Sequence, residues 1–288
     1  MTKVKTLQVV KKGMIYAVLV LFSMFFLFPF AFMFFKSVMG NLESAGSPYV
    51  RFLPEGAWHF SNYARVFDSS FLRYFRNTLI VIAFNIVGVP LAACFVAFGF
   101  ARGKFKSKNF WFAVVLGTIM LPGVVTQVPV YIMFKKFGLT GTLAPLIIPN
   151  FFGGGALNIF LARQFIRGIS KEIDEAARID GASRLRIFFG IIFPLLKPII
   201  IYIVINTFIS CWRDFDSALV FIGDTRASRQ WQTLALGIYY KFLIRGTEDV
   251  YPNMQMATGV IMVLPVAALF LVFQRRLIEG VVMTGIKG

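Results

Sequence analysis

The residues able to do chemistry are gathered in one short stretch. Ser170-Lys171-Glu172-Ile173-Asp174-Glu175-Ala176-Ala177-Arg178-Ile179-Asp180-Gly181-Ala182-Ser183 interrupts two long apolar runs. Its spacing fits a surface helix. Ser170 can cap the N-terminus, and Glu172 and Asp174 stand where the helix dipole favours negative charge. Asp174 and Arg178 are four apart, in the favourable order for an ion pair. Ile173, Ala176 and Ala177 share a face, and adjacent alanines let another surface approach the backbone. Gly181 permits a sharp change of direction. A second helix, rich in Ile and Phe, is expected from Ser183 toward Pro194 and Pro198. This is the chemistry of docking, built from small side chains and a rim of charge. Composition alone would also suit a solvated amphipathic connector.

No other group of residues suggests catalysis. His59 is the only histidine, so neither a His-based metal site nor a Ser/His pair is supported. Cys94 and Cys211 lie inside apolar runs and read as buried thiols. No G-x-x-x-x-G-K-[ST] is present. Gly153-Gly154-Gly155 has no Lys after it, and small residues there suit close helix packing. A non-catalytic chain is expected.

The elements that must position the docking stretch are membrane helices. Of 288 residues, 58% are hydrophobic and 15% charged, Phe occurs 35 times, and mean hydropathy is +0.74. A soluble domain carries about 25% charged residues. The net charge of +17 is explained by topology without nucleic acid. Six runs are long enough to cross a ~30 Å hydrocarbon core. They are Met14 to Phe35, Asn77 to Phe100, Phe110 to Phe134 (broken by Pro122 and Pro129), Leu143 to Ala162, Pro198 to Trp212, and Met254 to Phe273 with Pro265 inside. The first run is too long for a signal-peptide core and no A-x-A site follows it, so it is expected to remain as a span.

Loop charge gives the orientation. With the N-terminus inside, the inner segments hold 18 of the 30 Lys and Arg although the outer segments are longer. The short Arg102, Lys104, Lys106, Lys108 loop weighs most, while Lys135 and Lys136 vote the other way. Both termini are expected to be cytoplasmic. The expected organisation is an N-tail 1–13, a single six-helix domain 14–274 and a C-tail 275–288. The docking loop falls at 168–194, and outer loops at 36–76 and 213–253. No Asp, Glu, Lys, Arg or His lies inside the spans until their ends, which argues against a carboxylate-based ion-coupled carrier.

The order of residues in the docking stretch is more specific than its composition. Glu175-Ala176-Ala177, Gly181 and Ile191-x-Phe193-Pro194 resemble the EAA motif of ABC importer permeases, with Phe193 where Leu is usual and Ser170 where Pro is common. Glu-Ala-Ala-Arg-Ile-Asp-Gly-Ala-Ser is similar to carbohydrate-importer permeases. The resemblance extends to Asn77-Thr78, Leu121-Pro122, Pro129, the approach Ala156 to Phe165, and the C-terminal Gln274-Arg275-Arg276, Glu279-Gly280 and Thr284 to Gly288, which look like the maltose-type second permease.

The resemblance implies an all-α type I ABC importer transmembrane domain in the bacterial inner membrane. It carries a coupling helix that seats on a separate ATPase. Glu175, Ala176, Ala177, Arg178, Asp180 and Gly181 would make that contact. ATP and Mg would be bound by two partner ATP-binding subunits, with no cofactor in this chain. The other partners implied are a second, homologous permease forming a heterodimer and an extracellular sugar-binding protein docking on the outer loops. Arg226, Arg229 and Trp231 are candidates for the binding-protein contact, beside an ordinary solvated loop. Asn206, Thr207, Ser210 and Trp212 offer hydrogen bonds and an aromatic face for a sugar, although interhelical packing would use the same residues. A permease for amino acids, peptides or phosphate is the nearest alternative, followed by an ATP-independent channel or carrier.

Overall fold

The computed structural model describes residues 2–46, 51–244 and 251–285. The described residues are helices and connecting turns, with no strand among them. They divide into two compact units. One comprises the chain to Asp68 with Ile238–Pro265, and the other Ser69–Gly237 with the chain from Val266 on.

In the first unit, helix α1 (Thr2–Ser37) is apolar on every side from Met14 to Phe35 and none of its most apolar window is buried. A helix with no polar face suits hydrocarbon on all sides. The turn that follows is held by amides. Asn62 Nδ2 donates to the Ser37 and Met39 carbonyls at 2.9 and 3.0 Å, and Asn253 Nδ2 donates to Met39 O at 2.9 Å. The Ser37 carbonyl is one that the end of α1 leaves unpaired, and the Met39 carbonyl belongs to the turn after it. Phe52 stacks on Phe28 and packs beside Phe35.

The second unit is built on α2 (Ser69–Arg102), which is continuous through Pro90. At ~1.5 Å per residue it is about 51 Å long and outreaches a ~30 Å core. Helices α3 (Lys108–Gly117) and α4 (Gly123–Lys136) form a pair bent by 102°. The bend falls at Leu121-Pro122, where Leu121 is extended (ψ 122°) because a residue before proline is pushed out of the helical region. Pro129, expected to break this run as well, lies inside α4 without interrupting it. A short helix Ala144–Ile147 and a 3-10 turn Ile148–Phe151 lead to Gly153, Gly154 and Gly155, all with positive φ. Helix α5 (Ala156–Gly168) follows. Gly154 lies against α2, where a Cβ would overlap the Val89 carbonyl oxygen. The glycines are therefore a break in the chain as well as a close contact.

Helix α6 (Lys171–Ile179) forms within the stretch expected to dock. The chain then runs through Arg184–Ile187, a π-helical turn Phe188–Ile192 and Phe193–Leu195 into α7 (Lys197–Arg213), bending by 77°. Helix α8 (Pro252–Gly285) ends the described chain. Among the described residues, four stretches are long and apolar enough to cross a membrane, or up to six when each bent pair is one span. The second unit's core lies where α2, α3, α5 and α7 meet, around Ala93, Cys94, Ala97, Ala162, Ile166, Phe188, Ile192 and Ile203. Small residues on α2 admit the large ones opposite, the usual pattern where membrane helices pack closely.

Candidate functional site

Helix α6 is stopped at both ends by its own sequence. Ser170 Oγ accepts from Glu172 N at 3.2 Å. At the other end Gly181 takes φ +80°, its N–H donates to Arg178 O at 3.0 Å, and the Ala182 N–H donates to Ala177 O at 2.9 Å. These two bonds are a Schellman cap, which needs a left-handed residue just past the helix. Nothing lies within 4 Å of a Cβ built on Gly181, so the demand for glycine within this chain comes from the backbone angle.

The face that α6 turns inward differs from the apolar face expected. Asp174 is buried and Ala177 half-buried, while Ile173 and Ala176 are exposed and Ile179 is 88% exposed. Asp174 does not pair with Arg178. Its carboxylate instead meets the Arg102 guanidinium at the end of α2, both side chains being only 5% exposed. Arg102 Nη2 also donates to Ile169 O at 2.8 Å and reaches Ser170 O at 3.4 Å. Once Asp174 is buried its charge needs a partner beside it, and removing that partner is costly, whereas an exposed pair four residues apart contributes only about 0.3–0.5 kcal/mol. The outward surface therefore carries Glu172, Ile173, Glu175, Ala176, Ile179 and Asp180, with Arg178 and Gly181 beside them. All six expected contact residues lie on this helix and its cap. Ala177 alone is partly turned inward.

The Ser69 end of α2 holds a different segment. Asn77 Nδ2 donates to Gln230 O at 2.8 Å and to Gln232 O at 3.0 Å, and Thr78 Oγ1 accepts from Leu234 N at 2.8 Å. Gly237 lies directly on the Tyr74 ring. Of the three residues expected in this loop, Arg226 is exposed, Arg229 is exposed and ion-paired to Asp224 at 3.0 Å, and Trp231 is half-buried in a 3-10 turn. Residues 245–250, including Arg245, and the tail 286–288 lie outside the described residues.

On α7 the four expected polar and aromatic residues divide into an exposed pair and a buried pair. Asn206 and Ser210 are exposed. Thr207 and Trp212 are buried, with Trp212 stacked on Phe208 and edge-on to Phe75. Ser210 opens onto a cavity of about 560 Å³ that is also lined by Asn85, Asn150, Cys211, Arg213, Asp214 and Asp216. Asn150 Nδ2 donates to Asn85 Oδ1 at 3.0 Å, and Asn85 Nδ2 donates to Leu146 O at 3.0 Å. Burial raises the Asp214 carboxyl above its usual range, opposed by the hydrogen bond it accepts from Ser217 N at 3.1 Å. Sequence reasoning passed over Arg102, Asn85 and Asn150 as site residues. The two amides carried a signal, each being an isolated polar residue in an apolar run. Arg102 carried none beyond its charge.

Residues 2–282 match the family described as binding-protein-dependent transport system inner membrane component. The melibiose/raffinose/stachyose import permease protein MelC of Bacillus subtilis (strain 168) is 32% identical over 231 residues, 80% of this chain and 81% of MelC. The trehalose/maltose transport system permease protein MalG of Thermococcus litoralis is 27% identical over 285 residues, 98% of this chain and 99% of MalG. Among solved structures, one chain of a bacterial ABC transporter involved in the import of the acidic polysaccharide alginate has the same fold. Its TM-score is 0.76 at 24% identity, covering 91% of this chain and 95% of that one.

Proposed function

Because this chain belongs to the binding-protein-dependent inner-membrane transport permeases, we propose that it is one half of the translocation pathway of a sugar ABC importer, coupled through α6 to a separate ATPase. The observation that carries the coupling is the outward face of α6. Ile179, 88% exposed, and exposed Ile173 and Ala176 sit among Glu172, Glu175 and Asp180 on a helix capped at both ends. A rigid helix that leaves Ile bare beside carboxylates is shaped for a partner surface. Motion imposed there by ATP-driven closure of two ATPases, which bind ATP and Mg, would switch the pathway between its two states.

In this reading the six runs each cross the membrane once with both termini inside. The bent pairs are single broken spans, and 14–274 acts as one permease domain. A second, homologous permease completes the pathway. An extracellular sugar-binding protein docks on the loop carrying Arg226, Arg229 and Trp231, which Asn77 and Thr78 hold in place. The exposed Asn206 and Ser210 line the sugar's path and continue into the cavity beside Asn150, with Thr207 and Trp212 fixing the helix behind them. Amides, hydroxyls and carboxylates suit the hydroxyls of a neutral oligosaccharide. The names of similar proteins support a saccharide over other solutes, since they include melibiose/raffinose/stachyose and trehalose/maltose permeases.

The test is uptake of labelled solutes by cells lacking this gene. Loss of ATP-dependent uptake of an oligosaccharide, restored by the wild-type chain and not by Gly181→Trp, is the expected result. Unchanged uptake of every saccharide, with loss of amino-acid, peptide or phosphate uptake, would overturn the sugar assignment.

A further inference from the structure

We infer that Arg102 is a positioning residue for coupling: its ion pair with Asp174 fixes α6 to the end of α2, so that displacement of α6 moves α2 directly. The inference rests on the coupling reading of α6 and adds the route by which force enters the membrane helices.

Two covalent routes lead from α6 into the membrane, and both are compliant. On one side Ile169-Ser170 is a short non-helical link between α5 and α6, with Ile169 extended (ψ 135°). On the other, the chain passes through Gly181 at positive φ, a π-helical turn at Phe188–Ile192 and a 77° bend before α7 begins. Ala177 and Ala182 add packing against the core, but small apolar contacts are non-directional and permit sliding. The Arg102 guanidinium is different. It meets α6 at its first turn through Asp174 and holds the chain just before α6 through Ile169 O and Ser170 O. One planar group that meets the carboxylate through Nε and two backbone carbonyls through Nη2 restrains rotation as well as separation. Arg102 is also the last residue of a 34-residue helix that α5 and α7 pack against. The far end of that helix carries Asn77 and Thr78, bonded to the loop at Gln230, Gln232 and Leu234. One rigid element therefore touches both the proposed ATPase-facing helix and the proposed binding-protein loop.

The experiment uses the complex isolated from native membranes through a tag on this chain, reconstituted with its binding protein. Sugar uptake and ATP hydrolysis are measured on the same preparations. Asp174→Asn keeps shape and removes the charge, Arg102→Lys keeps the charge and removes the fork, and Arg102→Asp/Asp174→Arg exchanges the partners. The expected result is that Asp174→Asn lowers uptake per ATP hydrolysed about tenfold while the ATPase stays bound. Arg102→Lys should lower it less, and the exchange should recover at least a third of the loss left by Arg102→Asp alone. A merely structural role would reduce uptake and hydrolysis together, in proportion to the complex recovered, and that outcome overturns the inference. So does a wild-type ratio in Asp174→Asn and Arg102→Lys. Failure of the wild-type chain to bring down any ATPase would instead sink the coupling reading itself.

Discussion

Single residues at the α6 cap and the glycine break make the sharpest demands on side-chain identity. Gly181 occupies the left-handed position of a Schellman cap with open space around it, so Gly181→Ala strains the backbone by roughly 1–2 kcal/mol without a clash. We expect that variant to assemble in normal amount and to lose several-fold in uptake, measured per mole of complex. Gly154 faces the opposite problem, a positive φ together with the Val89 carbonyl where its Cβ would go. Gly154→Ala should cost about 3 kcal/mol or more and reduce the amount of folded chain recovered in detergent. The Ser170 cap and the Gly181 turn were legible in the sequence because each is decided by neighbours within a few residues. The partner of Asp174 was not. Local spacing offered Arg178, and the fold supplied Arg102 from another helix, since the packing that buries Asp174 turns it toward α2 and away from Arg178.

At the scale of elements, the loop from Gly223 to Leu234 is held by side chains of α2 as well as by its own turns. Gln232 Nε2 reaches Gly223 O and Asp224, while Asn77 and Thr78 bind the loop backbone from below. Thr78→Val removes one acceptor and leaves the Leu234 N–H buried without it, a loss of about 1–2 kcal/mol. Trypsin should then cut at Arg226 or Arg229 roughly five- to tenfold faster in oriented vesicles, with the bound sugar-binding protein slowing the cut. An unchanged rate would mean that the loop does not depend on α2. The apolar runs were legible by length, and the bend at Pro122 followed from the rule for residues before proline. Pro129 defied that rule because a proline can sit inside a membrane helix whose neighbours absorb the lost bond. Which of the α7 residues are exposed (Asn206 and Ser210) and which buried (Thr207 and Trp212) could not be read from spacing, since an apolar helix with few polar residues has no strong periodic signal.

For the whole molecule, membrane character, helical class and family follow from composition and one ordered string. The assembly does not, because contacts with other chains leave only hints here, such as a bare Ile179 on a capped helix. The proposed topology makes a direct prediction. In a chain with Cys211 changed to Ser, a cysteine at Ser107 should resist a membrane-impermeant thiol reagent in intact cells, and one at Ala227 should react. Labelling at Ser107 would reverse the orientation and place α6 on the wrong side for an ATPase. The central claim is that α6 is a docking helix for an ATP-driven importer. The most direct measurement is isolation of the tagged chain from native membranes, with mass spectrometry of what accompanies it. The account predicts stoichiometric recovery of a second, homologous permease and of an ATPase carrying a P-loop, with the ATPase lost when Ile179 is replaced by Asp. Recovery of the chain alone or as a homo-oligomer would contradict it.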